Sequence, residues 1–344
     1  MSVIETIREK AKTDVKHIVL PEGSEERTVQ AAQRITEQGI ARVTLIGDPG
    51  EIQAVADKFG VCLQGVDVID PKASADYPRY CETFAKMRAK KGVTLEQAQK
   101  TMLDPLFFAA MMVYDGKADG FVSGAINTTG NTLRPGLQII KTAPGVSTVS
   151  SCFIMEVPDT SYGQNGVLIF ADCAVNIAPT AEQLASIAVA SAQTGKALCG
   201  MDPKVAMLSF STKGSAKHEN VDKVAEATRL VKEVAPDLNV DGELQADAAL
   251  VEKVGQLKSP GSPVAGHAKV LYSRTCRRAT SATSWCSGWL APRPSAPSAR
   301  ALPSPSTTCP GVAAWRISFP WWRSPPSRPK ICNYNYGINL GGML

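Results

Sequence analysis

The segment 17-HIVLPEGSEERTVQAAQRITEQGIARVTLIGD-48 contains a short apolar run, an amphipathic stretch and a second apolar run. Short apolar runs bounded by turn residues are typical of buried strands, and apolar residues spaced by three and four are typical of a helix. Ser24 before the middle stretch and Gly39 after it predict where the helix begins and ends. The segment therefore predicts a strand–helix–strand unit, which is the repeating element of a parallel sheet.

Alternating strand and helix signals continue as far as Leu271. Thr94, with Gln97 three residues later, forms a capping-box pattern that predicts the start of a helix. A long helix is predicted from Thr180. This alternation predicts an α/β fold with mostly parallel sheets covered by helices on both faces. A break near residues 143–153 suggests a first domain at residues 1–148 and a second at residues 149–271.

The composition changes abruptly after Leu271. The stretch 284-SWCSGWLAPRPSAPSARALPSPSTTCP-310 contains no Asp, Glu or Lys, and residues 272–344 hold all five Trp and ten of the 23 Pro. These residues carry eight Arg, one Lys and no acid, so they contribute +9 to a net charge of +5 and leave −4 for the first 271. An acidic first part without interleaved basic and aromatic residues argues against nucleic-acid binding.

The sequence gives no sign of a membrane span, a leader or a metal site. It has no apolar run of about twenty residues and no apolar block near Met1. Its nine cysteines are isolated, as are His17, His218 and His267. We therefore expect reduced thiols in a cytoplasmic protein, no bound metal, and no histidine-based nucleophilic mechanism.

Two predicted strand-exit loops are rich in glycine and hydroxyl residues: 123-SGAINTTGNTLRP-135 and 209-SFSTKGSA-216. Loops of this composition allow backbone N–H groups to approach a phosphate, although most such loops are simple turns. Neither loop matches GxxxxGK[ST] or GxGxxG. A third candidate is the basic stretch 87-MRAKKG-92, which is either a solvated helix end or a binding element. The candidate contacts for a phosphate group are Arg88, Ser123, Gly124, Asn127, Thr132, Arg134, Ser211 and Lys213.

Eight stretches, in order and suitably spaced between Met1 and Leu271, together resemble the phosphate acetyltransferase (phosphotransacetylase) family. The phosphate butyryltransferases are its nearest relatives, but the Arg-Pro loop and 241-DGELQADAAL-250 look more like the acetyl enzymes. The stretches are VLPEGSEERTVQAA, MRAKKGVTLEQA, DGFVSGAINTTGNTLRPGLQIIKT, VSSCFIMEVP, FADCAVNIAPTAEQLA, AMLSFSTKGSA, DGELQADAAL and KSPGSPVAGHA.

The resemblance implies reversible acetyl transfer between coenzyme A and phosphate, so that acetyl-CoA and phosphate give acetyl phosphate and CoA. It further implies a two-domain fold similar to that of isocitrate and isopropylmalate dehydrogenases, usually in a homodimer, with CoA as substrate, no permanently bound cofactor and no catalytic metal. Arg88 and Arg134 match family arginines that contact CoA or phosphate, a role that suits the two-point geometry of a guanidinium.

The family's C-terminal motif SRGCSVxD, which supplies an oxyanion-stabilising Ser, a phosphate-binding Arg and a basic Asp, is absent. Our hypothesis is that one base is missing near the codon for Leu271, so that residues 272–330 are read in a displaced frame and residues 331–344 are read-through. The first two bases of each printed codon are then the last two bases of an original codon. A printed Trp must therefore replace an original Leu, Met or Val, and a printed Thr must replace an original Tyr, His, Asn or Asp. The tail then permits the family's sequence IFPDLQAGNIGYKLVQRLAG from position 272 onward, with Ser and Arg encoded across Cys309–Gly311 and Asp across Arg316–Ile317.

Three other interpretations remain open. The tail could be a genuine Pro/Ser/Arg-rich extension, although five Trp without one acid are unusual for that class. The chain as printed could be a non-catalytic CoA-binding remnant. A dehydrogenase of related architecture is the third alternative, but the dinucleotide fingerprint is missing.

Overall fold

The computed structural model describes residues 2–142, 146, 148–157, 159–172 and 175–273, together with a strand at 315–318. The chain divides into two compact units, which consist mainly of Val3–Val146 and Ser147–Arg316. This division falls within the break noted in the sequence at residues 143–153. Each unit is described separately below.

The first unit contains a four-stranded sheet in the order β3-β2-β1-β4, in which every pair of neighbours is parallel. The predicted parallel arrangement is therefore confirmed for this unit. The fourth strand has only two residues, because the chain turns away into the glycine-containing loop directly after Phe121. The strands are β1 (Lys16–Leu20), β2 (Ala41–Ile46), β3 (Val66–Ile69) and β4 (Gly120–Phe121).

Seven α-helices accompany this sheet among the described residues. The helices are α1 (Val3–Thr13), α2 (Glu26–Glu37), α3 (Pro49–Phe59), α4 (Tyr77–Arg88), α5 (Leu95–Met102), α6 (Pro105–Tyr114) and α7 (Thr129–Pro135). The capping box predicted at Thr94 is present at the start of α5. The predicted Ser24 start of α2 is wrong by one residue, because the carboxylate of Glu25 accepts the Thr28 N–H and caps the helix instead.

Helix α4 is fixed to the C-terminal end of α6 by a charged network. Arg79 donates from both terminal nitrogens to Asp115, at 2.6 and 2.5 Å, and also to Asp76 at 3.0 Å. These hydrogen bonds lower the pKa of Asp115 more than its partial burial raises it. The network holds in place the helix that ends at Arg88.

The second unit is built on a six-stranded sheet in the order β10-β5-β6-β9-β7-β8. The pair β5–β6 is antiparallel, whereas β6–β9, β9–β7 and β7–β8 are parallel, so this sheet is also mostly parallel. The strands are β5 (Ser151–Glu156), β6 (Val167–Ala171), β7 (Lys204–Leu208), β8 (Asn239–Leu244), β9 (Val270–Ser273) and β10 (Trp315–Ser318). The helices are α8 (Ala181–Cys199), α9 (Glu219–Val234), α10 (Ala246–Leu250) and α11 (Glu252–Lys258).

Strand β9 lies inside this sheet, between β6 and β7, and it ends where the composition of the chain changes. Val270 and Leu271 are buried apolar residues suited to that position. Tyr272 is equally buried, at 1% exposure, but its hydroxyl has no hydrogen-bond partner among the described residues. Burial, followed by the charge of Asp172, raises the pKa of this hydroxyl. A buried hydroxyl without a partner costs about 1–3 kcal/mol, so an apolar side chain would suit this position better.

The segments 272–330 and 331–344, which the sequence marks as aberrant tail and read-through, lie largely outside the described residues. Within them the structure describes only Tyr272, Ser273 and β10.

Candidate functional site

The loop that follows β4 is built around a buried carboxylate. Glu22, which comes from the turn after β1, is 7% exposed, and its two carboxylate oxygens accept the four consecutive backbone N–H groups of residues 124–127 at 2.8–3.1 Å. The side-chain amide of Asn127 adds a fifth hydrogen bond at 2.8 Å. Gly124 has a φ of +124°, a conformation that side chains rarely adopt, and this permits the loop to wrap around the carboxylate.

Glu22 is the anion that this backbone cradle holds. Burial raises the pKa of Glu22, but the hydrogen bonds of the loop lower it further, so the carboxylate stays ionised. The sequence predicted that backbone N–H groups of this loop face a phosphate. In the structure the N–H groups of Gly124 and Asn127 donate to Glu22 instead, and these residues therefore shape the loop, while their contact with a phosphate stays a prediction.

Arg27, the second residue of α2, binds a backbone carbonyl group of the same loop. The Nη2 of Arg27 donates to the carbonyl oxygen of Ala125 at 2.9 Å, and its Nε pairs with Glu25 at 2.5 Å. The loop is thus held by a carboxylate that accepts its N–H groups and by a guanidinium that binds one of its carbonyl groups.

The remaining predicted contacts near this loop differ in whether their side-chain polar atoms already have hydrogen-bond partners. The Oγ of Ser123 is buried and has no hydrogen-bond partner in the described part of the chain. The hydroxyl of Thr132 donates to the Thr128 carbonyl at 3.2 Å within α7. Arg134 is exposed and donates at 3.2 Å to the neighbouring Asn131, but it has no carboxylate partner among the described residues. Its guanidinium is available to an external anion.

Arg88 is the last residue of α4 and differs from the lysines that follow it. Lys90 and Lys91 are exposed, as expected for a solvated basic helix end, whereas Arg88 is half-buried. Its Nε is buried and has no hydrogen-bond partner in the part of the chain that the structure describes. A buried donor without a partner is uncommon in a folded protein and indicates that a partner is still to be supplied.

The second unit contains a similar arrangement after β7. Ser211 is fully buried, and its hydroxyl donates at 3.2 Å to Glu243, which also accepts the N–H of Gly214 at 2.6 Å. Lys213 between them has a left-handed φ of 48° and pairs through its Nζ with the buried carboxylate of Asp241. Burial raises the pKa of Asp241, but hydrogen bonds led by that of Lys213 lower it further. The charge of Lys213, which the sequence assigned to a phosphate, is bound to Asp241.

Neither Glu22 nor Glu243 was predicted as a site residue from the sequence. The loop partners of Glu22 lie 102–105 residues away along the chain, and those of Glu243 lie 29 and 32 residues away, so no local spacing reveals them. The one signal available was an acidic residue at the end of an apolar strand pattern, as in 19-VLPEG-23.

Three further sequence features concern metal binding, the histidine His17 and membrane crossing. No group of three or more His, Cys, Asp or Glu side chains among the described residues is arranged to hold a metal ion. His17 is hydrogen-bonded through both ring nitrogens, at 2.7 Å each, to the Lys117 carbonyl and the Thr44 hydroxyl. Within the same described residues, no helix has the length and apolar character needed to cross a membrane.

Comparisons with known proteins identify the class of enzyme. The family model described as phosphate acetyl/butaryl transferase matches residues 2–272, and the chain belongs to this family. The phosphate acetyltransferase of Thermoanaerobacterium thermosaccharolyticum is 56% identical over 271 residues, which are 79% of this chain and 82% of that protein. The phosphate acetyltransferase of Clostridium acetobutylicum is 51% identical over 271 residues, which are 79% of this chain and 81% of the Clostridium protein.

A solved structure gives the same result. A phosphotransacetylase from Streptococcus pyogenes superimposes with a TM-score of 0.77 at 43% identity, covering 83% of this chain and 85% of that one. The family resemblance inferred from the sequence stretches is thereby confirmed, and so is the preference for the acetyl-enzyme relatives.

Proposed function

We propose that the protein is an acyltransferase that moves an acetyl group reversibly between coenzyme A and phosphate, and that this activity requires the final segment to be read in the displaced frame. The carrying observation is the 56% identity to a phosphate acetyltransferase over 271 residues, together with a family match that stops at residue 272. CoA is then a substrate, with phosphate and acetyl phosphate, and no permanently bound cofactor takes part.

The reaction places definite demands on the protein. The CoA sulfur attacks the acetyl carbonyl, an S–C bond forms, the C–O bond to phosphate breaks, and the thiol proton passes to a base. This chemistry needs a base for the thiol, a donor for the developing oxyanion and cations for the phosphate. Arg88 and Arg134 supply cations, since the first has a buried Nε without a partner and the second is exposed without a carboxylate partner in the described chain.

The base, the oxyanion donor and a further cation belong to the displaced frame. They are the Asp encoded across Arg316–Ile317 and the Ser and Arg encoded across Cys309–Gly311. The printed chain lacks all three, so we expect it to be catalytically inactive. The buried Tyr272 hydroxyl without a partner supports a change of frame near Leu271, because the displaced frame permits Ile at that position.

The same proposal extends to architecture and setting. Residues 1–148 and 149–271 are then the two domains of a fold like that of isocitrate and isopropylmalate dehydrogenases, and the displaced-frame segment completes the second. The intact enzyme is proposed to be a cytoplasmic homodimer. Ser123, Thr132 and Ser211 are proposed to contact the substrates through their side chains, with Gly124 and Asn127 shaping the loop, and Lys213 acting through its pairing with Asp241.

The test is an assay of the frame-restored protein, in which one base is added at the codon for Leu271. We expect acetyl phosphate to exceed butyryl phosphate in kcat/KM by roughly tenfold or more, because each unmatched methylene in an acyl pocket is worth about 1–3 kcal/mol. Thioester formation from CoA and acetyl, propionyl or butyryl phosphate is the measurement. A preference for butyryl phosphate would favour the butyryltransferase alternative. Failure to turn over any of the three, in a folded protein that binds CoA, would favour the non-catalytic remnant.

A further inference from the structure

We infer that Glu22 is the positioning residue of loop 123–127, which it holds in the conformation that receives the substrate. The inference rests on the proposed function only for the identity of the ligand, which is CoA. It concerns a side chain that the family resemblance did not single out, and it follows from the contacts of that side chain.

The first step is the density of hydrogen bonds at the carboxylate. Two oxygens accept five donors, four of which are consecutive backbone N–H groups, at distances between 2.8 and 3.1 Å. Bonds to a charged acceptor are roughly twice as strong as neutral ones. A Gln amide offers one acceptor oxygen where the carboxylate offers two, so the N–H groups bound to the other oxygen would lose their partner.

The second step is that the loop is held from both sides by one short segment. Glu22 lies in the connection between β1 and α2, and Arg27, in the first turn of α2, binds the Ala125 carbonyl at 2.9 Å. The interior strand β1 and the first turn of α2 therefore set the position of a loop that lies about a hundred residues away along the chain. A loop fixed in this way loses little conformational entropy when a ligand binds.

The third step is that the anchored loop carries unused groups. The Ser123 Oγ is buried without a partner in the described chain, and Ile126 is 70% exposed although its own N–H is bound to Glu22. Most buried hydroxyls in folded proteins have a hydrogen-bond partner, so the Ser123 Oγ leaves one hydrogen bond of this loop to be made. The anchored backbone thus presents a hydroxyl and an apolar side chain, which suits a ligand with both polar and apolar parts, such as CoA.

The experiment compares the full 344-residue chain with its Glu22→Gln and Glu22→Asp variants. The first readout is amide hydrogen exchange at residues 124–127, and the second is the Kd for CoA by calorimetry. We expect Glu22→Gln to raise both the exchange rates and the Kd on the order of tenfold to a hundredfold, because the amide supplies one acceptor oxygen and directs an NH2 group at N–H donors. Glu22→Asp keeps two charged oxygens and should recover part of each effect.

Two controls separate positioning from general loss of stability. Glu37→Gln makes the same chemical change at an exposed carboxylate whose partner among the described residues is Gln33. Val66→Ala weakens the core of the first unit from strand β3, which lies at the opposite edge of the sheet from β4 and its loop. Both variants should retain the parental exchange rates at 124–127 and the parental Kd.

Each outcome decides a separate point. Unchanged exchange at residues 124–127 in Glu22→Gln would overturn the positioning role whatever happens to CoA. Faster exchange with an unchanged Kd, or a Kd raised no more than in Val66→Ala, would overturn the link between the loop and the ligand. If the printed parent binds no CoA, the exchange rates alone decide whether Glu22 holds the loop, and the Kd is measured in the same variants of the frame-restored protein. Absence of CoA binding there would show that the ligand named by the proposed function is wrong.

Discussion

Protein translated from the printed sequence should form acetyl-CoA from acetyl phosphate and CoA roughly ten-thousandfold more slowly than the frame-restored protein. The printed tail lacks the oxyanion donor, whose loss alone costs about 10²–10³ in kcat, and the base, which is worth about 10²–10⁴. The two losses are not additive in full, since residues that act as a unit are not independent. The measurement is the initial rate of thioester formation at saturating substrates.

The comparison needs proteins that differ only in the tail. Both should be expressed from the same vector, and both should be shown by circular dichroism to contain the helices and strands of residues 2–271. Comparable turnover by the printed chain would mean that catalysis does not depend on the displaced-frame Ser, Arg and Asp. That result would remove the functional argument for a displaced frame.

Replacing Arg134 should give the second largest effect. In the frame-restored protein, Arg134→Ala should lower kcat/KM roughly a hundredfold, because a guanidinium binds phosphate oxygens through two charge-assisted hydrogen bonds of about 1.5–3 kcal/mol each. Arg134→Lys keeps the charge but loses the fork, so it should recover only part of the activity. Steady-state kinetics with varied CoA and varied acetyl phosphate will show which substrate Arg134 contacts.

Arg42→Ala is the matched control for this substitution. Arg42 is an exposed arginine of the same unit, and its Nη2 lies 2.8 Å from Asp67 on the neighbouring strand. Its loss should leave kcat/KM unchanged within a factor of about two, since an isolated surface ion pair is worth about 0–1 kcal/mol. Equal effects of the two substitutions would show that Arg134 acts through net charge or stability and that it does not contact a substrate.

Local features of the fold were predictable because they depend on nearby residues. The capping box at Thr94 and Gln97 and the long helix from Thr180 follow from the order of a few side chains, and both are present. The start of α2 was misplaced because Ser24 and Glu25 are both able to cap a helix, and only the folded backbone decides which one does. The parallel sheets followed from the alternation of such local elements.

The candidate site was less predictable because its geometry is set by long-range contacts. The two loops were recognised from their glycine and hydroxyl content, but composition does not show that Glu22 and Glu243 lie inside them. For the same reason Lys213 was assigned to a phosphate, whereas it pairs with Asp241. Arg88 and Arg134 came from the family resemblance, and the structure adds that neither has a carboxylate partner among the described residues.

The printed tail is the point on which the proposed function depends most. A displaced frame makes a prediction at every codon after Leu271, and the Trp and Thr codons permit few alternatives. A functional extension that merely happens to be rich in Pro, Ser and Arg makes no such prediction.

The most direct test is therefore to determine the nucleotide sequence from the codon for His267 to beyond the codon for Ile317 and to translate it in the displaced frame. We expect that frame to encode the family's SRGCSVxD motif, with Ser and Arg across Cys309–Gly311 and Asp across Arg316–Ile317. The prediction holds whether the missing base is present in the gene or absent from it. Unrelated residues at those positions would contradict the displaced frame and, with it, the proposed origin of the missing catalytic end.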